Sequence, residues 1–231
     1  MSKIVKFYNG NLIECEIYKL VDFYDPILRE PTVPWNHFDH EPKESEYLAF
    51  SLAETLKQYG GLGLSANQVG LKHRICVINM GSEIWTMFNP VILEHNEVLA
   101  DYSEGCLSYP GLYLKLNRPD HIKVRFQATN GEFLEKEMDG LTAVCVQHEL
   151  DHLDGIVYTD KVSPIKLEQA KRKVKQNLKK IRNYIREREK YLDAEEKETV
   201  TPIEMEKPEI KIIPPETLQK KEPEKFVYKA G

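Results

Sequence analysis

Two histidines four residues apart, with a glutamate directly after the first, constrain this 231-residue chain more than any other feature. They are His148 and His152 in the sequence HELDH, and Glu149 lies between them. The surrounding residues 141–155 carry apolar side chains at helical spacing and end at Gly155, which predicts a helix. On a helix both imidazoles project from one face and can bind a single metal ion, while Glu149 can reach a metal-bound water as general base.

The histidine pair needs a third protein ligand, because a catalytic zinc-type site has three ligands and one open position. In one metalloprotease class the third ligand is a histidine six residues after the second, but Tyr158 occupies that position here. Two candidates remain. They are Glu168 on a downstream helix and Cys106 in the sequence EGCLS, whose thiolate would complete a Cys-His-His set. The spacing alone does not decide between them.

Three separated motifs carry a resemblance to a known family. GLGLSANQ (61–68), EGCLS (104–108) and QHELDH (147–152), in this order, resemble the signature motifs of the peptide deformylase family, and DPILR (25–29) resembles its N-terminal segment. The likeness runs from about residue 18 to about residue 165. It implies an α+β fold with antiparallel sheets around a central helix that bears both histidines. It also implies hydrolysis of the N-formyl group from the N-terminal methionine of nascent polypeptides, with release of formate.

The resemblance assigns a role to individual residues. Cys106, His148 and His152 take the metal-ligand places, Glu149 that of the general base, and Gln68 with the backbone N–H of Leu107 those of the oxyanion donors. The substrate-binding residues implied are Leu62, Gly63, Gly105, Val144 and Cys145. Glu104 and Arg118 match a pair that would support Cys106 from outside the metal coordination; the alternative is an exposed salt bridge at the rim. Fe²⁺ is the metal expected in vivo, although Zn²⁺, Ni²⁺ and Co²⁺ also suit this ligand set.

The chain departs from the family pattern at three positions. Ser65 stands where the first motif usually has Ala, and Tyr109 stands where a small aliphatic residue usually follows CLS. We expect neither to touch a metal-ligand position. Tyr113 replaces a basic residue with which some members grip the peptide beyond methionine, so charge recognition is not expected there.

Other periodic segments predict the remaining elements. Residues 46–59 predict a helix that ends at Gly60, and the runs RICVIN and IWTMFNPVIL predict strands. HIKVRFQAT alternates apolar and polar residues, and the Asn130-Gly131 pair favours a type I′ hairpin into EFLEKEM. The other histidines lack ligand spacing and are expected on the surface: His37, His40, His73, His95 and His121.

The charge is distributed unevenly along the chain. Residues 161–190 hold twelve Lys or Arg and three Glu, a net charge of +9, so the remainder carries −14. We therefore divide the chain into a catalytic domain (1–164), an amphipathic basic helix (165–193) and a disordered tail (194–231), whose 38 residues include nine Glu, seven Lys and five Pro. The apolar stripe of the basic helix could pack on the catalytic domain. Alternatively, the helix could dock on ribosomal RNA, as in some bacterial members of the family.

Composition limits the alternatives. No apolar run approaches the roughly 18–20 residues of a membrane span, and the start lacks a secretory signal, so we expect a cytoplasmic protein, or one in an equivalent translation compartment, without membrane or DNA partners. Beside the deformylase interpretation, two other functions stay open. One is an HExxH metalloprotease that cuts internal peptide bonds, and the other is a noncatalytic ribosome- or RNA-binding protein.

Overall fold

A computed structural model of the chain describes residues 2–8 and 11–198. These residues contain nine strands and three α-helices: β1 Ser2–Tyr8, β2 Asn11–Ile17, α1 Pro42–Tyr59, β3 Gly63–Ser65, β4 Ile75–Asn79, β5 Ile84–His95, β6 Leu99–Cys106, β7 Tyr109–Pro119, β8 His121–Gln127, β9 Phe133–Asp139, α2 Gly140–Leu153 and α3 Pro164–Glu198. The chain divides into two compact units, Met1–Ile181 and Arg182–Gly231.

The strands described form three antiparallel sheets. One contains β1 and β2, the second has the order β3-β4-β5-β8-β9, and the third contains β6 and β7. The predicted α+β class with antiparallel sheets is therefore confirmed. The β6–β7 hairpin, which ends at Cys106 on one strand, was not predicted as a strand pair, and neither was the β1–β2 hairpin.

Helix α1 begins four residues before its predicted start. Pro42 occupies the first turn, where its missing N–H is no loss, and the Glu44 carboxylate accepts a hydrogen bond from the backbone N–H of Glu41 at 3.2 Å. The helix ends at Gly60, whose left-handed conformation (φ +69°) lets its N–H donate to the Leu56 carbonyl. These terminal interactions, rather than the apolar repeat, determine the length of the helix.

The β8–β9 turn differs from the type I′ hairpin predicted. A type I′ turn requires positive φ at both central residues. Gly131 has φ +84°, whereas Asn130 is not among the described residues with positive φ. The Ala128 N–H donates to the Glu132 carbonyl, and the Gly131 N–H donates to the Ala128 carbonyl. The turn is thus a three-residue loop that closes on a left-handed glycine, and the type I′ prediction is wrong.

Helix α2 is held by its apolar face. Ala143, Val146, Leu150 and Leu153 are buried against the five-stranded sheet in one hydrophobic cluster. Because side chains four residues apart share a helix face, this packing fixes which way the rest of the helix points. The predicted bounds of 141–155 agree with those of the helix, Gly140–Leu153, to within two residues.

Helix α3 buries only the beginning of its apolar stripe. Leu167, Ala170 and Val174 pack against a cluster formed by residues of β7 and the segment after α2, whereas Leu178 and Ile181 are about half exposed. The helix runs from Pro164 to Glu198, so residues 194–198, which we predicted to belong to the tail, are helical. The rest of the predicted tail, residues 199–231, lies outside the described residues.

The expectation of surface histidines fails for a group around Trp35. This indole is 4% exposed, and the rings of His40 and His73 lie against it, with centroid separations of 3.7 and 4.9 Å. His37 packs against Phe88 at 5.0 Å, so all three imidazoles are partly buried. Sequence spacing could not reveal this cluster, because His73 joins it from a distant loop.

No helix in the described part of the chain combines the length and the apolar character that a membrane span requires.

Candidate active site

The three residues predicted as metal ligands lie together. Cys106, His148 and His152 each offer one ligand atom, and these atoms lie within 4.8 Å of one another. The Cys106 Sγ is 3.2 Å from Nε2 of His152. Glu168, the other candidate for a third ligand, instead accepts a hydrogen bond from Arg172 on exposed helix α3. The geometry therefore selects the sulfur over the downstream carboxylate.

A buried ionic network holds the first histidine. Nδ1 of His148 is 2.9 Å from the Glu104 carboxylate, which also accepts two hydrogen bonds from the Arg118 guanidinium. Arg118 donates a further bond to Asp151 at 2.7 Å. Glu104 and Arg118 are only 6% and 5% exposed, which rules out a rim salt bridge. The pair had been expected to support Cys106, but its hydrogen bond goes to His148 and leaves Nε2 of that ring for a ligand.

The electrostatics of the network favour charge on His148. Burial alone lowers the pKa of His148, but its hydrogen bonds with Cys106 and Glu104 raise the pKa to about 10. Burial also works against ionisation of Glu104, yet the hydrogen bonds from His148 and Arg118 outweigh it and lower the pKa of that carboxyl. For His152, burial and the charge on His148 both lower the pKa well below its usual value. Cys106 and Glu104 thus stabilise positive charge on His148.

Glu149 lies beside the ligand group in a buried environment. Burial raises the pKa of Glu149 to about 7, although the charge on His148 and a hydrogen bond from Ser65 partly oppose the rise. Its Oε2 atom has no hydrogen-bond partner among the described residues. A Cβ at Gly63 would lie 2.5 Å from Oε1 of Glu149, so only glycine leaves this carboxylate in place.

Gln68 is oriented by contacts on both ends of its carboxamide. Its Oε1 accepts hydrogen bonds at 3.0 Å from the backbone N–H and from the hydroxyl of Ser65. Its Nε2 donates to the Cys106 sulfur at 3.3 Å and to the Ser108 hydroxyl at 3.1 Å. Ser65 therefore lies one side chain away from a metal-ligand position, and its hydrogen bonds go to Gln68 rather than to a proposed metal ligand.

Tyr109, the second departure from the family pattern, lies closer to a proposed metal ligand than Ser65 does. Tyr109 is the direct cross-strand partner of Cys106 at the tip of the β6–β7 hairpin. Its hydroxyl donates to the carbonyl of Phe23, and its ring packs against Tyr158, which in turn lies 5.5 Å from the His148 ring. The expectation that Tyr109 does not touch a metal-ligand position is wrong, because it pairs with Cys106 in the hairpin.

A cavity of about 480 Å³ opens beside the ligand group. Gln68, Leu107 and Glu149 line this cavity. All the residues predicted to bind substrate line it too: Leu62, Gly63, Gly105, Val144 and Cys145. Tyr59, Tyr102, Tyr113 and Leu141 line it as well, and of these only position 113 was considered from the sequence. Tyr113 packs on Gly105, where a Cβ would lie 2.7 Å from its ring.

The donor atoms suit a divalent transition metal. One thiolate and two imidazoles are the ligands that tetrahedral zinc- and iron-type sites use, and the adjoining cavity leaves the remaining position open. Nδ1 of His152 is buried without a hydrogen-bond partner in the described part of the chain, whereas His148 has Glu104.

The sequence did not predict two residues that contact the candidate site. Ser108 contacts Gln68, and Asp151 contacts Arg118. Both lie inside the motifs that were recognised, EGCLS and HELDH. A closer examination of every polar residue in those motifs could have identified them as candidates.

Comparison with known proteins identifies the family. The polypeptide deformylase family matches residues 17–168. Peptide deformylase of Thermotoga maritima is 38% identical over 150 residues, 65% of this chain and 90% of the relative. A crystal structure of the Thermotoga maritima peptide deformylase superposes with a TM-score of 0.61 at 37% identity, covering 64% of this chain and 99% of the other. One from Legionella pneumophila gives 0.64 at 31% identity, covering 72% and 98%. The chain belongs to the polypeptide deformylase family.

Proposed function

We propose that this protein removes the N-formyl group from the N-terminal methionine of nascent polypeptides and releases formate, at one divalent metal ion held by Cys106, His148 and His152. Membership in the polypeptide deformylase family supports the reaction. The observation that carries the assignment of residues is the convergence of one sulfur and two imidazole nitrogens within 4.8 Å, beside a buried glutamate. The metalloprotease and noncatalytic alternatives are not favoured.

Cys106, His148 and His152 would hold the cation, because one sulfur and two ring nitrogens lie within 4.8 Å of one another. The contact of Glu104 with Nδ1 of His148 would leave the other nitrogen of that ring available to the ion. When bound, a divalent ion supplies Lewis acidity and lowers the pKa of water from about 15.7 toward about 7. Fe²⁺ is the metal proposed in vivo, and Zn²⁺, Ni²⁺ or Co²⁺ can replace it.

Glu149 is proposed to move the proton. Burial raises the pKa of its carboxyl group toward neutrality, which suits a group that must both accept and release a proton. The ionised form accepts a proton from the attacking water, and the protonated form then donates it to the departing amine. The Oε2 atom, which lacks a partner among the described residues, is free for both transfers.

Gln68 and Leu107 are proposed to stabilise the oxyanion. Nε2 of Gln68 donates a hydrogen bond to the Cys106 sulfur, and Gln68 and Leu107 both line the cavity where the formyl oxygen would lie. The Gln68 side-chain amide and the backbone N–H of Leu107 would donate hydrogen bonds to the negative oxygen of the tetrahedral intermediate. Loss of one such donor typically costs a factor of about 10²–10³ in rate.

The methionine side chain is proposed to lie against Leu62, Val144 and Cys145, with Gly63 and Gly105 allowing the peptide backbone to approach. These residues share the cavity with Glu149 and the ligand group. Burial raises the pKa of Cys145 well above its usual value, so it remains a neutral thiol and forms an apolar wall. An uncharged pocket of this kind suits the thioether side chain.

We further propose a catalytic domain over residues 1–164 and a ribosome-binding role, in the translation compartment, for the basic residues of helix α3, Pro164–Glu198. The family match ends at residue 168, and the half-exposed Leu178 and Ile181 follow the packed part of the helix. Truncation after Lys175 keeps Leu167, Ala170 and Val174. It should preserve hydrolysis of a small formyl-peptide and weaken salt-sensitive ribosome binding.

One experiment tests the central proposal. The protein is purified without oxygen, its metal content is measured, and formate release from formyl-Met-Ala-Ser is assayed for wild type, Cys106→Ala and Cys15→Ala. We expect stoichiometric metal and formate release in wild type, and loss of both in Cys106→Ala. Cys15→Ala removes another buried thiol far from the ligand group in the chain and should retain both. A Cys106→Ala protein that binds metal and releases formate at the wild-type rate contradicts the assignment.

A further inference from the structure

Ser65 ends strand β3 and is fully buried beside the two side chains proposed to act on the formyl group. Its hydroxyl lies 3.0 Å from Oε1 of Gln68, and it opposes the effect of burial on the pKa of Glu149. Burial of a hydroxyl is favourable only when hydrogen bonds satisfy it. Its partners therefore show what this serine holds in place.

The first partner is the carboxamide of Gln68. Both donors on Oε1 come from the same serine, since the backbone N–H and the hydroxyl of Ser65 each lie 3.0 Å from that oxygen. With the oxygen fixed, the Nε2 group can only face the other way, toward the Cys106 sulfur at 3.3 Å. The hydroxyl contributes one of the two bonds at the oxygen end of the Gln68 carboxamide, and the nitrogen end is also held by the Ser108 hydroxyl at 3.1 Å.

The second side chain beside Ser65 is Glu149. The Ser65 side chain opposes the effect of burial on the pKa of Glu149. The single O–H proton of Ser65 is donated to Oε1 of Gln68 at 3.0 Å, so Glu149 is a neighbour of this bond and Gln68 is its acceptor. The hydroxyl therefore lies beside both the proposed proton carrier and the proposed oxyanion donor.

We propose that Ser65 is a positioning residue for formyl hydrolysis, whose hydroxyl holds the Gln68 carboxamide with its N–H bonds directed at the metal centre. The inference rests on the proposed function and concerns how its oxyanion donor is oriented. Alanine lacks the hydroxyl, is smaller than serine and keeps the backbone N–H. Ser65→Ala should therefore fold and lose only one of the two bonds on Oε1 of Gln68.

The first test separates kcat from KM on formyl-Met-Ala-Ser. Loss of one neutral hydrogen bond predicts an about fivefold lower kcat for Ser65→Ala, with KM changed less than twofold, because the donor is needed in the transition state. Ser65→Thr, which restores a hydroxyl, should recover most of the loss. Ser51→Ala removes another fully buried serine hydroxyl, which accepts from the Glu16 N–H, and should leave kcat unchanged. A wild-type kcat for Ser65→Ala would refute the proposal.

A double-mutant cycle tests the route of the effect. In a Gln68→Ala background we expect Ser65→Ala to change kcat less than twofold, because the carboxamide it orients is gone. An equal loss in both backgrounds would show that the serine acts through Glu149 or through packing alone, and would overturn the proposal.

A readout independent of turnover completes the test. In isotope-labelled, metal-free protein, the side-chain amide resonances of Gln68, identified by their absence in Gln68→Ala, should shift in Ser65→Ala and stay in place in Ser51→Ala. Unshifted resonances would contradict the proposal even if activity falls. If wild type releases no formate, both the proposed function and this inference are wrong. If wild type is active and Ser65→Ala equals it, only the inference fails.

Discussion

Two clusters of histidines lie in this fold, and only one has the geometry of a reaction site. His148 and His152 meet a thiolate, with ligand atoms within 4.8 Å, and one ring is held by a buried carboxylate. His37, His40 and His73 instead gather around Trp35, and the described residues there do not form a comparable ligand group. Imidazoles in proximity are therefore not sufficient for metal binding.

The difference lies in how the ring nitrogens are directed. In the first cluster Glu104 occupies Nδ1 of His148, so the other nitrogen points at the sulfur. In the second cluster ring faces and edges pack on aromatic side chains, and the buried nitrogens Nε2 of His37 and Nδ1 of His73 have no partners among the described residues. The carboxylate that orients His148 is buried, whereas His37 and His73 pack on aromatic rings and His40 pairs at 2.9 Å with the exposed carboxylate of Glu44.

The largest expected effect comes from removing one histidine of each cluster. His152→Ala should lose the metal, and kcat/KM should fall at least about 10³-fold, because water then keeps a pKa of about 15.7 rather than about 7. His73→Ala should retain full metal content and formate release per folded molecule. Metal analysis and the formate assay on both variants check this. Equal loss of metal from the two would abolish the distinction between the clusters.

Glu149→Ala sharpens the comparison inside the first cluster. We expect the variant to retain its metal, because the ligand atoms are untouched, while kcat falls about 10²–10⁴-fold through loss of the proton carrier. Metal content and kcat are measured on one preparation. An active Glu149→Ala enzyme would refute the assigned role.

The sequence predicted the ligand cluster much better than the histidine cluster. Helical spacing placed His148 and His152 on one face, and a recognisable motif supplied Cys106. His73, by contrast, reaches Trp35 only because the chain folds residues of two distant loops together, and neither loop carries a periodic pattern. Contacts between irregular segments are the part of a fold that local spacing cannot encode.

Some missed features did have a signal in the sequence. Leu112, Leu114 and Leu116 alternate with exposed residues along β7, which is a strand pattern, yet the hairpin was not predicted. The β6–β7 register, which sets Glu104 opposite Leu114, brings Glu104 and Arg118 together in the interior. Their link to His148 depends on where α2 packs, so it could not be derived from either strand alone.

Glu104→Gln tests the carboxylate that directs His148, with a smaller expected effect. Loss of the charge should weaken metal affinity about 10–100-fold, because the ring loses its orienting and charge-balancing partner. Asp160→Asn is the matched control, since Asp160 pairs with Arg29 at the surface and exposed pairs contribute at most about 1 kcal/mol. Competition with a chelator measures both affinities. Unchanged affinity in Glu104→Gln would mean that the ring is oriented without this carboxylate.

The smallest effect is expected in the Trp35 cluster and concerns the pH dependence of stability. Burial, and then the charge on His40, lowers the pKa of His37 and of His73 from the usual value of 6.5. Below that value the unfolded chain binds more protons than the folded one, so the free energy of unfolding decreases as the pH falls. The slope is at most about 1.4 kcal/mol per pH unit for each proton.

The double variant His37→Phe with His73→Phe isolates that slope, because it keeps aromatic rings beside Trp35 and Phe88 and removes both titrations. Urea unfolding at pH 7.5 and 5.5, compared between wild type and variant, cancels the contribution of the metal-site histidines. We expect the variant to lose less stability on acidification than wild type. Identical losses would show that His37 and His73 titrate as freely in the folded protein as in the unfolded chain, so that aromatic packing imposes no constraint on their protonation. A smaller loss in the variant would show that the folded protein holds His37 and His73 neutral.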